Sequence, residues 1–383
     1  MSDTAGAADT VELDVGAVAH GGHCVARYNG QVVFVRHALP GERVLARITE
    51  QRRDFLRAEA VSVLVAAPDR VAPPCPYARP FGCGGCDFQH ATPAAQRALK
   101  AAVLQDQLAR LAGLDLAVPV EPLPGGSTGW RTRVRYAVSD SGELGFHRYR
   151  SHEVVPVDRC LIARPAVQPP AGQWPPGGSV EAVVSSLDDV AVLPSSSPGA
   201  TVRERVLDRE WTIDASSFWQ VHPAAAETFA HSVQVMLEPQ RGERAWDLYG
   251  GAGLFAAALA PHCGPVTVVE ADRRAVAAGR QALADLDNVR FVPGDVARVI
   301  DNPRWRGVDL VVLDPPRTGA GRAVVSAIAD RSPRAVAYVA CDPAAFARDV
   351  RTFGELGYRL AAVRAFDAFP MTHHFETIGL LTR

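Results

Sequence analysis

Lysine is almost missing from this chain: Lys100 is the only one among 383 residues, so nearly all positive charge is arginine. Arginine suits bidentate contact with phosphate. Net charge is nearly absent too, at −2. That excludes a globally basic nucleic-acid coat and leaves such contact to local patches. No apolar run is long enough to cross a bilayer and no signal peptide is evident, so a cytoplasmic protein without a membrane partner is expected. In that reducing compartment the seven cysteines argue for metal or catalysis over disulfides.

A chain of 383 residues that is 48% hydrophobic is too long for one ordinary core, and about two or three domains are expected. Residues 1–10 are small, polar and acidic, and read as a disordered tail. Over 11–66 short β-runs alternate with glycines, including Gln31-Val32-Val33-Phe34-Val35, which predicts a small β-barrel. Arg27, Arg36, Arg47, Arg52, Arg53 and Arg57, with Tyr28 and Phe34 interleaved, give it a basic and aromatic character. Such a surface suits single-stranded nucleic acid, or is a solvated face on a structural barrel.

Residues 67–215 form a β-rich central domain. It opens with Cys75, Cys83 and Cys86 among glycines, and Cys160 offers a fourth thiol. Four thiolates hold tetrahedral zinc or an iron–sulfur cluster, and spacing alone does not choose between them. No thioredoxin-like pattern surrounds Cys83-x-x-Cys86, which disfavours a redox dithiol. Thr92-Pro93 begins a helix with an apolar stripe (Leu99, Val103, Leu104, Leu108, Leu111) that Gly113 ends. Arg131, Arg133 and Arg135 alternate along a strand, which predicts one basic face for RNA. Pro169 to Ser179 and Ser195 to Gly199 read as loops.

From 216 to 383 helix and strand alternate, the signature of a doubly wound parallel α/β sheet. Asp247-Leu248-Tyr249-Gly250-Gly251-Ala252-Gly253 carries a strand into a glycine turn, and the next strand ends in Glu270, placed to accept hydrogen bonds from ribose hydroxyls. Gly251-x-Gly253 by itself fits a dinucleotide or S-adenosylmethionine. Val308–Leu313 ends in Asp314-Pro315-Pro316-Arg317, and Ala335–Ala340 ends in Cys341-Asp342-Pro343. Prolines cannot continue a ladder, so a carboxylate and a thiol stand on the rim where open α/β sheets bind ligands. The plainer reading of Cys341 is a core thiol.

With these motifs the chain resembles the RNA uracil-5-methyltransferases, class I S-adenosylmethionine-dependent enzymes of the subgroup with an N-terminal TRAM domain and a [4Fe–4S] cluster. The resemblance spans nearly the whole chain. It implies cofactor contacts at Gln220, Tyr249, Gly251, Gly253, Glu270, Asp295 and Asp314, cluster ligands at Cys75, Cys83, Cys86 and Cys160, a nucleophile at Cys341 and a general base at Glu376. Ala340, Asp342 and Met371 depart from residues common in the family. Uracil C5 is a weak nucleophile, which is why a thiol that adds at C6 and a base that removes the C5 proton are both needed. A monomer acting on RNA is expected, with 23S ribosomal RNA favoured over transfer RNA. The competing readings are a zinc-bearing RNA-binding protein with an inactive methyltransferase-like domain, and an amino-methyltransferase on adenine or cytosine. The second would put an aromatic where Arg317 stands, and would not need Cys341.

Overall fold

The computed structural model describes residues 10–194, 199–302, 305 and 307–383. Apart from Thr10 and Gly199, the expected disordered tail and the loop Ser195 to Gly199 lie outside the described residues. No described helix is long and apolar enough to cross a membrane.

The N-terminal sheet orders its six strands Thr10–Asp14, Arg43–Gln51, Phe55–Val65, Gln31–Arg36, His23–Tyr28 and Val18–Ala19. Alternation drives it: Val11 and Leu13 point inward while Thr10, Glu12 and Asp14 face out. Gly16 N–H donates to Val25 O at 2.7 Å and Val25 N–H to Ala17 O at 2.9 Å, which curls the sheet back on itself.

The central five-stranded sheet runs Val154–Pro156, Leu144–His147, Arg133–Val138, Ser179–Val184 and Val190–Pro194. Its core is built on Val134, Tyr136, Val138, Val180, Ala182 and Val184, and a separate hairpin pairs Thr201–Val206 with Arg209–Asp214. The expected basic face is corrected here. Arg133 Nη1 donates to Ala215 O at 2.9 Å and Ser217 O at 2.8 Å, and Nη2 lies 3.6 Å from the buried Glu204. Alternation foretells which side chains share a face, but not that a hairpin will cover it. Arg135 remains exposed, and Arg131 lies outside the strand, with Nε on Arg133 O at 3.0 Å.

The large sheet has the spatial order Val289–Pro293, Val266–Glu270, Ala245–Leu248, Leu310–Leu313, Ala335–Ala340, Glu376–Thr382, Arg359–Asp367 and Val120–Pro122. The first five are parallel, as their continuous apolar runs require when both faces are buried. Glu376–Thr382 enters antiparallel to Ala335–Ala340. Val120–Pro122 extends the far edge, parallel to Arg359–Asp367.

The Pro93–Gln107 helix begins as expected: Thr92 Oγ1 accepts from Ala95 N–H at 3.3 Å and Pro93 occupies the first turn. After five π-helical residues the chain turns at Gly113, φ 71°. Its buried face (Leu99, Val103, Leu104) packs into the core that contains Val311, Phe346, Val350 and Phe353 of the large sheet and its helices. A helix that follows the cysteine segment in sequence is therefore a layer of the C-terminal domain.

Candidate active site

The thiol and the carboxylate meet because of strand register. Ala335–Ala340 is fully buried and pairs with Leu310–Leu313 on one side and Glu376–Thr382 on the other. Ala340 sits opposite Thr377, so the next residues outward on the two strands are Cys341 and Glu376. Asp342 then caps the Pro343–Glu355 helix, accepting from Ala345 N–H at 2.8 Å. Glu376 is only 6% exposed.

The electrostatics follow from crowded, buried acids. Burial first, then Asp314, raises the Glu376 carboxyl well above its usual range, with Arg317 opposing. Burial and the Glu270 charge push Asp314 up to about 7. Burial, then Glu376, pushes Cys341 up to about 11, again against Arg317. Arg317 is exposed and makes no hydrogen bond or salt bridge among the described residues.

The glycine turn stands at the ends of the neighbouring strands. Gly253 adopts φ 81°, and a Cβ there would lie 2.8 Å from Phe291 Cζ, so only glycine fits. Gly251 has open space on its Cβ side and donates N–H to Glu270 Oε2 at 3.0 Å. The other Glu270 oxygen accepts from Asp272 N–H at 2.7 Å. Tyr249, half-buried at φ 59°, leads into the turn, and Gln220 is half-buried with no side-chain hydrogen bond among the described residues. Asp295 is exposed and caps Val296–Ile300 through Arg298 N–H at 3.1 Å.

Asp247 was missed in the sequence although an acid inside Ala245-Trp246-Asp247-Leu248 is the kind of anomaly that marks a site. Fully buried, it accepts from Ala256 N–H at 2.9 Å through Oδ2, while Oδ1 has no hydrogen-bond partner among the described residues. Burial pushes it up to about 7. An orphan acceptor beside an open glycine turn, among Glu270 and Asp314, suits a ligand carrying positive charge. The ammonium and sulfonium of S-adenosylmethionine fit that donor set.

The four expected cysteines, Cys75, Cys83, Cys86 and Cys160, line one cavity of about 270 Å³, together with Gln89, Arg131, Phe146 and Ile162. Burial raises the thiols of Cys83, to about 11, and of Cys160. Yet among the described residues no three His, Cys, Asp or Glu side chains are spaced to hold a single ion. Two residues before Gln220, Phe218 presents a ring that is 78% exposed, and no role was read for it in the sequence.

A parallel sheet with an antiparallel strand beside its thiol-bearing edge, a glycine turn and acidic strand ends define a class I methyltransferase, here behind an N-terminal TRAM domain matched over residues 8–61. Residues 203–383 match the tRNA (uracil-5-)-methyltransferase family model. An uncharacterized RNA methyltransferase of Streptomyces avermitilis is 45% identical over 97% of both chains. The 23S rRNA (uracil(1939)-C(5))-methyltransferase of Alkalilimnicola ehrlichii is 32% identical over 97% of this chain and 96% of its own. The fold matches that of the Pyrococcus abyssi tRNA (uracil-54, C5)-methyltransferase, solved with S-adenosyl-L-homocysteine, at a TM-score of 0.76, 21% identity, 97% of this chain and 99% of that one. The chain belongs to the RNA uracil-5-methyltransferase family, whose members use S-adenosylmethionine.

Proposed function

We propose that this chain methylates C5 of a uridine in 23S ribosomal RNA, as a cytoplasmic monomer. The register that sets Cys341 beside Glu376 carries this reading, and the relatives named for 23S ribosomal RNA, at 32% and 31% identity, favour that substrate. Cys341 Sγ, as thiolate, bonds uracil C6; the C5=C6 pair moves to C5 and O4. Gln220, Tyr249, Gly251, Gly253, Glu270, Asp295 and Asp314 with Asp247 would hold S-adenosylmethionine, which would supply the methyl group to C5, its S–CH3 bond breaking to leave S-adenosylhomocysteine. Glu376 then removes the C5 proton, the C–H pair re-forms C5=C6, and the C6–S bond breaks to return the thiolate. Arg317 opposes the surrounding acids and favours the ionised forms of both Cys341 and Glu376. The exposed Phe218 ring offers a stacking surface for a base drawn out of its RNA stack.

The four thiols that line one cavity are the donor type that an iron–sulfur cluster or zinc takes, and the family resemblance favours the cluster. Cys75, Cys83, Cys86 and Cys160 would hold a [4Fe–4S] cluster there in a structural role.

The test uses 23S ribosomal RNA from a strain lacking the gene and methyl-labelled S-adenosylmethionine. Wild type is expected to produce 5-methyluridine. Cys341→Ala is expected to produce neither product nor adduct, and Glu376→Gln a methyl-labelled protein–RNA adduct that survives denaturing electrophoresis. A folded, RNA-binding Glu376→Gln protein without adduct would sink the base assignment.

A further inference from the structure

The mechanism leaves the chain's single lysine unused, although Lys100 is only 1% exposed. Its Nζ reaches Asp367 Oδ1 at 2.5 Å and Phe369 O at 3.1 Å. Both belong to the segment that delivers the chain to Glu376. One turn earlier on the same helix, Gln96 is fully buried and grips the same segment: its Oε1 accepts from Met371 N–H at 2.8 Å, and its Nε2 donates to Met371 Sδ at 3.2 Å and to Ala91 O at 3.0 Å. Met371 O accepts from both Asp87 N–H and Phe88 N–H, each at 3.0 Å. Asp87 Oδ2 takes His373 N–H at 3.1 Å and lies 2.6 Å from His373 Nδ1.

At its two ends the segment joins the sheet, with Asp367 opposite Pro122 and Glu376 opposite Phe366, while the other hydrogen bonds of residues 368–374 are local among the described residues. Thr372 bonds back to Phe369 O, and His374 N–H reaches Thr372 Oγ1 at 3.2 Å. These close a turn without attaching it to the sheet. Met371 has φ 70°, a conformation that a non-glycine residue holds only when its surroundings over-determine it. The surroundings that do so are residues 87–96. Gly22 of the barrel packs against both partners of the Asp87–His373 contact: a Cβ there would lie 2.9 Å from His373 Cβ and 3.0 Å from Asp87 Cβ. The turn that supplies Asp87 also carries Cys83 and Cys86, which links the cysteine cavity to this segment through one peptide bond.

We propose that Asp87, Gln96 and Lys100 are positioning residues for the base: they hold residues 367–373 in the one conformation that presents Glu376, so the second half of the reaction depends on them and the first half does not. The inference rests on the proposed uracil chemistry. The polar contacts of Asp87, Gln96 and Lys100 go to the Glu376 connection, whereas Cys341 is set by its own strand and by the capped helix that follows.

The experiment uses full-length Gln96→Met and Asp87→Asn proteins, with melting temperature and iron content recorded, the 23S RNA described above and labelled S-adenosylmethionine. Rapid quench and denaturing gels separate labelled adduct from released 5-methyluridine. Adduct formation is expected to stay near the wild-type rate, while its resolution slows by about tenfold to a hundredfold, the scale of a reacting group displaced by about an ångström. Labelled adduct therefore accumulates, as in Glu376→Gln but incompletely. A merely structural role would slow both steps together or change neither, and either result overturns the proposal. Should Gln96→Met fail to fold, Asp87→Asn, which keeps the shape, gives the same reading. If wild type makes no 5-methyluridine, or Glu376→Gln traps no adduct, the underlying function fails instead; normal turnover with unchanged partition in the variants sinks this inference alone.

Discussion

Cys341 and Glu376 stand side by side, yet they are held in unlike ways. Cys341 follows a strand buried along its whole length, and its next residue caps a helix of 13 residues. Its strand is hydrogen-bonded between Leu310–Leu313 and Glu376–Thr382, and the helix after it is fixed by the Asp342 cap. Glu376 begins its strand after a connection whose outside hydrogen bonds come from residues 87–100, some 270 positions earlier. Both groups are set by register in one sheet, but the connection leading into Glu376 is also gripped by a distant helix and turn. A reaction that first needs a nucleophile and then needs a base can therefore lose its second half while keeping its first.

The largest effect expected from loosening the borrowed side is at Lys100. Lys100→Met leaves Asp367 buried and unpaired, a loss of about 3–5 kcal/mol for a broken buried pair. Both partners are nearly sealed from water, with side-chain exposures of 0% and 5%. Lys100→Met/Asp367→Leu removes both charges and is expected to regain most of that loss in thermal or urea unfolding. A single variant that loses less than about 1 kcal/mol would show that the pair is no anchor, and that the two sides of the site are held alike.

The same contrast decides what could be read from the sequence. Cys341 was legible because an apolar run, a thiol and Asp-Pro are contiguous; the glycine turn and Glu270 were legible for the same reason. Glu376 came only through family resemblance, since nothing beside it announces a base. The grip on its loop did leave a trace. Gln96 and Lys100 fall on the buried stripe with Leu99, Val103 and Leu104, and polar residues on a helix's apolar face need buried partners. Helical periodicity reveals that demand but not who answers it. Arg133 was misread for the complementary reason: its strand pattern was right, but the carbonyls of Ala215 and Ser217 that occupy it come from elsewhere in the chain.

The nucleophile's side offers a smaller and more local test. Asp342→Ala removes the cap on the Pro343–Glu355 helix and the contact with His20 Nε2 at 3.2 Å. Losing such a cap costs about 1 kcal/mol. Because Asp342 adjoins Cys341, the variant is expected to slow adduct formation and to leave adduct resolution alone, the mirror image of Gln96→Met. Slower resolution in Asp342→Ala would mean that the two ends of the site share one support.

The finest probe is the titration of Cys341 itself. Burial raises its thiol, the Glu376 charge raises it further, and Arg317 pulls it back, to a net value of about 11. The thiolate is the form that alkylates, so modification of Cys341 by iodoacetamide, followed by mass spectrometry in the cofactor-free protein, should rise with pH through a midpoint near 11 and level off only above it. Glu376→Gln removes the second of the raising causes, and its midpoint should fall. Gln96→Met keeps the carboxylate but loosens its loop, so its midpoint should fall by less. Arg317→Gln removes the opposing charge and should move it upward. A wild-type midpoint near the ordinary thiol value of about 8.5 would mean that the thiol is not buried against these acids, and the register that brings Cys341 and Glu376 together would no longer account for the site. A midpoint near pH 11 that ignores Glu376→Gln would leave the thiol buried but separate it from its base.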